Sequence, residues 1–245
     1  MSDKAQEKEY MIFLGNFGSG KTELAMHFAM DAAAAGNPTT LIDLDVINPY
    51  FRASERKLAL DKAGVRLIIP NYAMSNVEII TINPEIYSAF TAGSGSVIFD
   101  VGGDGLGARA LGQYKGYFDK VPPPRLRIWL VINPHRPMSA TPDKIIAMMR
   151  AIEESARLRI NGLINNGNMS YESTAEDLLH SYYIVKEVAA QTGVPVVMTS
   201  GEEQPLSGFL QLAQERDLKQ DYIGEPVFIH TKMHRDWDRF VKYGV

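Results

Sequence analysis

Short apolar runs rich in β-branched and aromatic residues recur along the chain, and between them lie longer stretches whose apolar positions return every three to four residues. The first kind reads as strands buried on both faces, the second as helices covering them. The runs predict strands at Tyr10–Leu14, Thr39–Leu44, Arg66–Ile69, Ser96–Val101, Leu126–Ile132, Ile160–Ile164 and Pro195–Thr199. Helices are predicted at Lys21–Ala35, Arg52–Ala63, Pro84–Ala92, Leu106–Phe118, Pro142–Ser155, Thr174–Thr192 and Pro205–Glu215. Thr141 before Pro142 forms an N-cap followed by a first-turn proline, while Gly36 and Gly193 suit helix C-caps. Turns such as Gly36-Asn37-Pro38 and Val121-Pro122-Pro123-Pro124 separate elements without a linker long enough to divide the chain. Residues 1–245 are therefore expected to form one domain, a doubly wound, mainly parallel α/β sheet with helices on both faces. Such sheets bind ligands beyond the carboxyl ends of their strands.

Composition narrows the chemistry. With 45% hydrophobic and 22% charged residues, the chain has the makings of one substantial core. The absence of cysteine removes disulfides, thiolate nucleophiles and cysteine-ligated zinc or iron-sulfur clusters. A net charge of -4 carries no footprint for wrapping nucleic acid. Met1–Glu9 is polar and mixed in charge, unlike a secretory signal, and no run approaches the roughly 20 apolar residues that span a bilayer. A cytoplasmic protein is expected.

The most specific pattern lies at the first strand. Gly15-Asn16-Phe17-Gly18-Ser19-Gly20-Lys21-Thr22 follows Tyr10–Leu14 and opens a helix beginning with Glu23. This is the spacing GxxxxGK[ST] in its strand-loop-helix setting: glycines let successive N–H groups converge on phosphate oxygens, and the helix N-terminus adds partial positive charge. Lys21 is then expected to reach the β and γ phosphates of ATP, and Thr22 to coordinate Mg2+. Magnesium prefers oxygen ligands, so carboxylates are expected at neighbouring strand ends. Asp100 ends the run Ser96–Val101, and Gly103 beyond it permits close backbone approach to the γ phosphate. In Thr39–Asp45, alternation puts Asp43 and Asp45 on one side, with Asp45 nearer the carboxyl end to serve the metal or the attacking water. Asp43 is open to a direct role, a supporting one, or a buried cap.

On these residues the chain resembles the MinD/ParA-like ATPases of the SIMIBI class of P-loop proteins, which also includes CobQ/dethiobiotin synthetase-like enzymes. The resemblance covers the loop, the Asp-x-Asp strand, Asp100–Gly103 and the strand running to Asn165. It implies that Asp45 is a switch I aspartate activating water and that Asp100 begins switch II. In one respect the chain departs from it: the signature lysine that such loops extend to a partner's phosphates is replaced by Asn16, with Phe17 after it. Arg52 is a candidate for the missing charge, against a solvated arginine at a helix start.

Guanine readers of this class place Asn-Lys-x-Asp after a strand, whereas this chain has Asn165-Asn166-Gly167-Asn168. An amide in place of the carboxylate suits adenine better than guanine's two donors, so Asn165 and Asn166 are expected in an ATP site unless the stretch is only a polar turn. Asn133-Pro134-His135-Arg136 also lacks the aspartate, though His135 is placed to touch a substrate or partner. His230 and His234 have helical spacing without further ligands. Residues 231–242 read as an amphipathic helix, docking on the protein's own body or peripherally on a membrane, the former favoured by Asp236 and Asp238 within the basic face. The leading expectation is a Mg-dependent, nucleotide-switched ATPase that forms a homodimer or meets a partner protein. The alternatives are an ATP-dependent enzyme acting on a small carboxylate, with Arg52, Arg109 and Lys115 lining its pocket, and a non-hydrolysing nucleotide-binding module.

Overall fold

The computed structural model of the protein describes residues 8–44, 53–69, 84–91, 93–103, 105–168 and 173–229, with backbone alone for 53–56 and 84. Asp45, Arg52, His230, His234 and the tail 231–242 lie outside the described residues.

Eight strands form one sheet: β1 (Glu9–Leu14), β2 (Thr39–Leu44), β3 (Val65–Ile68), β4 (Ser96–Val101), β5 (Leu126–Ile132), β6 (Gly162–Asn165), β7 (Val196–Gly201) and β8 (Glu225–Phe228). Their spatial order is β3-β2-β4-β1-β5-β6-β7-β8, and every neighbouring pair is parallel. The helices are α1 (Lys21–Ala34), α2 (Ala53–Lys62), α3 (Pro84–Ser88), α4 (Gly105–Gly112), α5 (Lys115–Phe118), α6 (Pro142–Ala156), α7 (Ala175–Thr192) and α8 (Glu203–Glu215).

Strand alternation divides the core. Tyr10, Ile12 and Leu14 of β1 join Val97 and Phe99 of β4 under α3 to α7, while Met11, Phe13 and Ile98 pack beneath Leu24, Ala25 and Ala29 of α1 and Leu60 of α2. A third cluster joins α7 through Leu178 and Tyr182 to Leu206 and Phe209 of α8. The chain runs outward from β1 to β3, then returns at β4 and proceeds the other way from β5. Helices therefore part to opposite faces around β1, opening a crevice at its carboxyl end.

The seven expected strands are present, with ends displaced by up to two residues. Thr141 caps α6 by accepting from the Lys144 N–H, and Gly193 ends α7 at φ 72°. Gly36, at φ 82°, ends α1 by donating to the Ala33 carbonyl. Three expectations need correction. The helix expected at Leu106–Phe118 is two, because Gly112 packs on the carbonyls of Ser155 and Ala156 and its own carbonyl accepts from the Arg157 side chain at 2.6 Å. The helix expected to run from Pro84 to Ala92 ends at Ser88, where the carbonyls of Ser88 and Ala89 accept from Lys8 Nζ at 3.3 and 3.0 Å. β8 was not anticipated: Glu225-Pro226-Val227-Phe228 carries a proline and is half-exposed, as an edge strand permits. Among the described residues, no helix is long and apolar enough to cross a membrane.

Candidate functional site

The loop Gly15–Gly20 joins β1 to α1 in the crevice. Gly20 precedes the helix at φ 93°, and no side chain caps the first turn, whose positive dipole end faces the loop. Lys21 is only 7% exposed, and its Nζ donates to the Asn16 carbonyl at 2.8 Å. The Ser19 N–H donates to the same oxygen at 3.3 Å.

Two side chains from neighbouring strands grip the outside of this loop. Asn166, just beyond β6, donates from Nδ2 to the Ser19 carbonyl at 2.6 Å, and its Oδ1 accepts from Ser200 at 2.8 Å and from Asn168. Arg136, between β5 and α6, donates from Nε to the Gly18 carbonyl at 3.1 Å. Asn16 turns inward rather than toward solvent, its Nδ2 donating to Ser139 Oγ at 3.3 Å. Phe17 beside it is 76% exposed. Asn16 Oδ1 and Ser19 Oγ are buried without a hydrogen-bond partner. Unpartnered buried acceptors are costly by about 1–3 kcal/mol each, so both are sites where a ligand or water is favourable.

Beside Thr22, β2 and β4 bring two carboxylates together. Asp43 and Asp100 are partners in the parallel register, 7% and 3% exposed, on the face covered by α1. With Thr22 and the apolar Leu41, Leu60, Leu67 and Ile69 they line a cavity of about 10 Å³, room for roughly one water. This donor set of carboxylate and hydroxyl oxygens fits a hard cation such as magnesium. Among the described residues, no group of three or more His, Cys, Asp and Glu is placed to hold a metal by itself, so phosphate oxygens would have to complete the shell. Gly103 lies against the loop: a Cβ there would meet the Phe17 nitrogen and the Asn16 carbonyl carbon. Its close approach is to the loop itself.

The expected base-reading stretch is largely engaged. Asn166 is committed to the loop, and Asn165 is fully buried with its Oδ1 accepting from the Gly167 N–H while its Nδ2 has no hydrogen-bond partner. Asn133 braces the same corner, donating to the Asn168 carbonyl at 2.8 Å and accepting from the His135 N–H. Beyond it opens a cleft of about 420 Å³ lined by Ser173, Thr174, Ala175, Glu202, Glu203, Gln204 and Pro205. At its edge Thr174 and Asp177 form a capping box. Burial raises the Asp177 carboxyl, but the Thr174 hydroxyl and N–H, with the charges of His135 and His180, bring it below the ordinary carboxylate value. Lys115 Nζ pairs with Asp119 at 2.6 Å on the surface of α5, and Arg109 is exposed on α4.

No family model matches the chain, and no curated protein matches it. Solved structures do. The cell division protein FtsY of Thermotoga maritima matches at TM-score 0.56 and 17% identity, over 82% of this chain and 64% of that one. FtsY of Mycoplasma mycoides matches at TM-score 0.54 and 16% identity, over 83% and 62%. This chain has the P-loop NTPase fold. A third structure, the signal recognition particle 54 kDa protein of Aeropyrum pernix in complex with GDP, matches at TM-score 0.50 and 21% identity, over 87% and 47%. The P-loop chain described here thus spans less than two thirds of the length of each of these neighbours.

The spacing anticipated the loop, Thr22 and Asp100 as neighbours. It did not anticipate Asp43 as the partner of Asp100, because that pairing depends on β2 lying beside β4. Nor did it anticipate Arg136 and Ser139 as residues that hold the loop, for which no local pattern exists.

Proposed function

We propose that this P-loop chain binds a purine nucleoside triphosphate with magnesium on Gly15–Thr22, hydrolyses it, and uses the change of nucleotide to switch a contact with a second copy of itself or a partner protein. One observation carries the reading: Thr22, Asp43 and Asp100 meet at the carboxyl ends of adjacent strands, beside the N-terminus of α1 from which Lys21 reaches back to the Asn16 carbonyl of the loop. Lys21 would neutralise phosphate oxygens, and the first-turn N–H groups would bind them. Thr22, Asp43 and Asp100 would hold magnesium, which when bound spreads the charge of the β and γ phosphates. Asp45 is kept as the candidate for orienting water.

Adenine is the favoured base, and ATP the favoured nucleotide, because no carboxylate stands within Asn165–Asn168. The cleft beyond that stretch favours GTP as a second reading, since Glu202 and Glu203 offer acceptors to guanine's two donors. Phe17 and Met138, 76% and 70% exposed near the loop, supply apolar surface for the switched contact.

Calorimetry on the full chain with Mg-ATP and Mg-GTP tests the reading and ranks the bases. Lys21→Ala is expected to abolish uptake, and Asp45→Ala to keep uptake while losing hydrolysis. Light scattering with and without the bound triphosphate reads the dimer. Uptake of neither nucleotide by well-folded protein refutes the proposal. Turnover that appears only with an added small acid would replace it with the metabolic alternative.

A further inference from the structure

Arg136 is a surface residue by its exposure, yet its guanidinium is held against the tip of the phosphate loop. Its backbone is fixed by the Arg136 N–H donating to the Asn133 carbonyl at 3.1 Å and by the Arg136 carbonyl accepting from the Ser139 N–H at 2.9 Å. Ser139 Oγ in turn donates to the Asn133 carbonyl at 2.7 Å while accepting from Asn16 of the loop. The β5–α6 segment therefore touches the phosphate loop at two places, Asn16 and Gly18. Gly18 makes room for this: it sits at φ 74°, and a Cβ there would lie 3.2 Å from the Arg136 Nε.

A trans peptide points its carbonyl and its N–H in opposite directions, and no peptide bond described here is cis. With the Gly18 carbonyl drawn outward to Arg136, the N–H of the same peptide, on Ser19, must face the inside of the loop. It does, for it meets the Asn16 carbonyl, where Lys21 Nζ also arrives. Asn166 acts in the same way one peptide later, turning the Gly20 N–H inward through the Ser19 carbonyl. Of the two clamps only Arg136 is charged.

We infer that Arg136 is a positioning residue of the phosphate loop and its second cation, orienting the Ser19 N–H toward a bound phosphate and supplying, within one chain, positive charge that the loop lacks at Asn16. The inference rests on the nucleotide reading given above. Because the Arg136 bond is exposed and made to a neutral carbonyl, it adds little to folding. Its effect appears when a polyanion occupies the loop, where an arginine hydrogen bond is charge-assisted.

The test uses the full chain with Arg136→Lys, Arg136→Gln and Arg136→Met, all of similar reach, titrated with Mg-ATP and Mg-GTP and melted without nucleotide. Lysine keeps donor and charge, glutamine only the donor, methionine neither. Affinity is expected to fall in the order wild type and Lys, then Gln, then Met, with Met weaker than wild type by roughly 10- to 100-fold. Melting of the nucleotide-free chain should be unchanged, and the ratio of wild-type to Met affinity should not vary with protein concentration. A merely structural arginine would leave the three variants equal in affinity, and that result overturns the inference while the nucleotide reading stands. A ratio of wild-type to Met affinity that grows with protein concentration overturns the claim that one chain suffices. If the wild type takes up neither nucleotide, the reading itself fails and this inference with it. Should the Met variant melt early, the ratio of Lys to Gln decides: equal affinities overturn the role of charge, and a weaker Gln supports it.

Discussion

Replacing Asn166 by alanine tests whether the loop is held from outside. Asn166 is 2% exposed, and its amide satisfies three groups: the Ser19 carbonyl, Ser200 Oγ and Asn168 Nδ2. Ser19 and Ser200 are fully buried, so each loses a partner where water reaches poorly, while half-buried Asn168 recovers part of its loss from solvent. At about 1–3 kcal/mol per unsatisfied buried group, and with some refilling by water, the variant should lose roughly 2–5 kcal/mol of stability. For a domain of this size that corresponds to a melting temperature lower by about 5–15 °C. Urea unfolding should show an earlier midpoint with an unchanged slope, because the surface exposed on unfolding is the same. Asn166→Asp sharpens the test. It keeps an acceptor for Ser200 and Asn168 but sets a carboxylate oxygen against the Ser19 carbonyl, so triphosphate uptake should fall further than stability does. If Asn166→Ala unfolds within about 0.5 kcal/mol of wild type, the clamp is not holding the loop and the reasoning is wrong.

Two further outcomes follow from the same geometry. Gly103→Ala places a methyl against the Phe17 nitrogen and 2.6 Å from the Asn16 carbonyl carbon, both backbone atoms that yield poorly; nucleotide affinity measured by calorimetry should drop by roughly tenfold or more, and unchanged affinity would show that the segment moves freely. Asp177→Asn removes the carboxylate of the α7 capping box and should cost about 1 kcal/mol at neutral pH. Since the Asp177 carboxyl is lowered in the fold, its stabilisation is present above the ordinary carboxylate value and is lost as pH falls through the lowered one, so urea midpoints of variant and wild type should converge in acid.

The parts legible in the sequence are those whose cause is local. Strand, glycine turn and helix start lie within Glu9–Ala34, and their order could be named from spacing alone. The buried strands were legible because their apolar runs have no reading as surface. Correct placement of the acids was only half available. Alternation puts Asp43 and Asp45 on one side, but which acid meets Asp100 depends on β2 pairing with β4, and that pairing matches Asp43 to Asp100. The clamps were out of reach, since Arg136 and Asn166 meet the loop across 118 and 147 residues of chain. The break between α4 and α5 was hidden for the same reason, its carbonyl being taken by Arg157 from 45 residues away.

The glycines of the phosphate loop carry a second meaning in this fold. Read along the chain, they permit a tight turn around an anion. Seen in space, they mark where neighbours press in: a Cβ on Gly15 would strike the Val131 carbonyl at the end of β5, one on Gly18 would crowd Arg136, and one on Gly20 would strike Asn166. From the other side Gly103, beyond β4, lies against Asn16 and Phe17. The loop is thus packed by segments from both strands that flank β1 and by one from β6. A loop so enclosed is ordered when the sheet forms, so the entropy of arranging its N–H groups is met by folding and not by the ligand. It follows that the sheet order, which alone brings β4, β5 and β6 to one corner, sets the shape of the loop as much as the loop's own residues do.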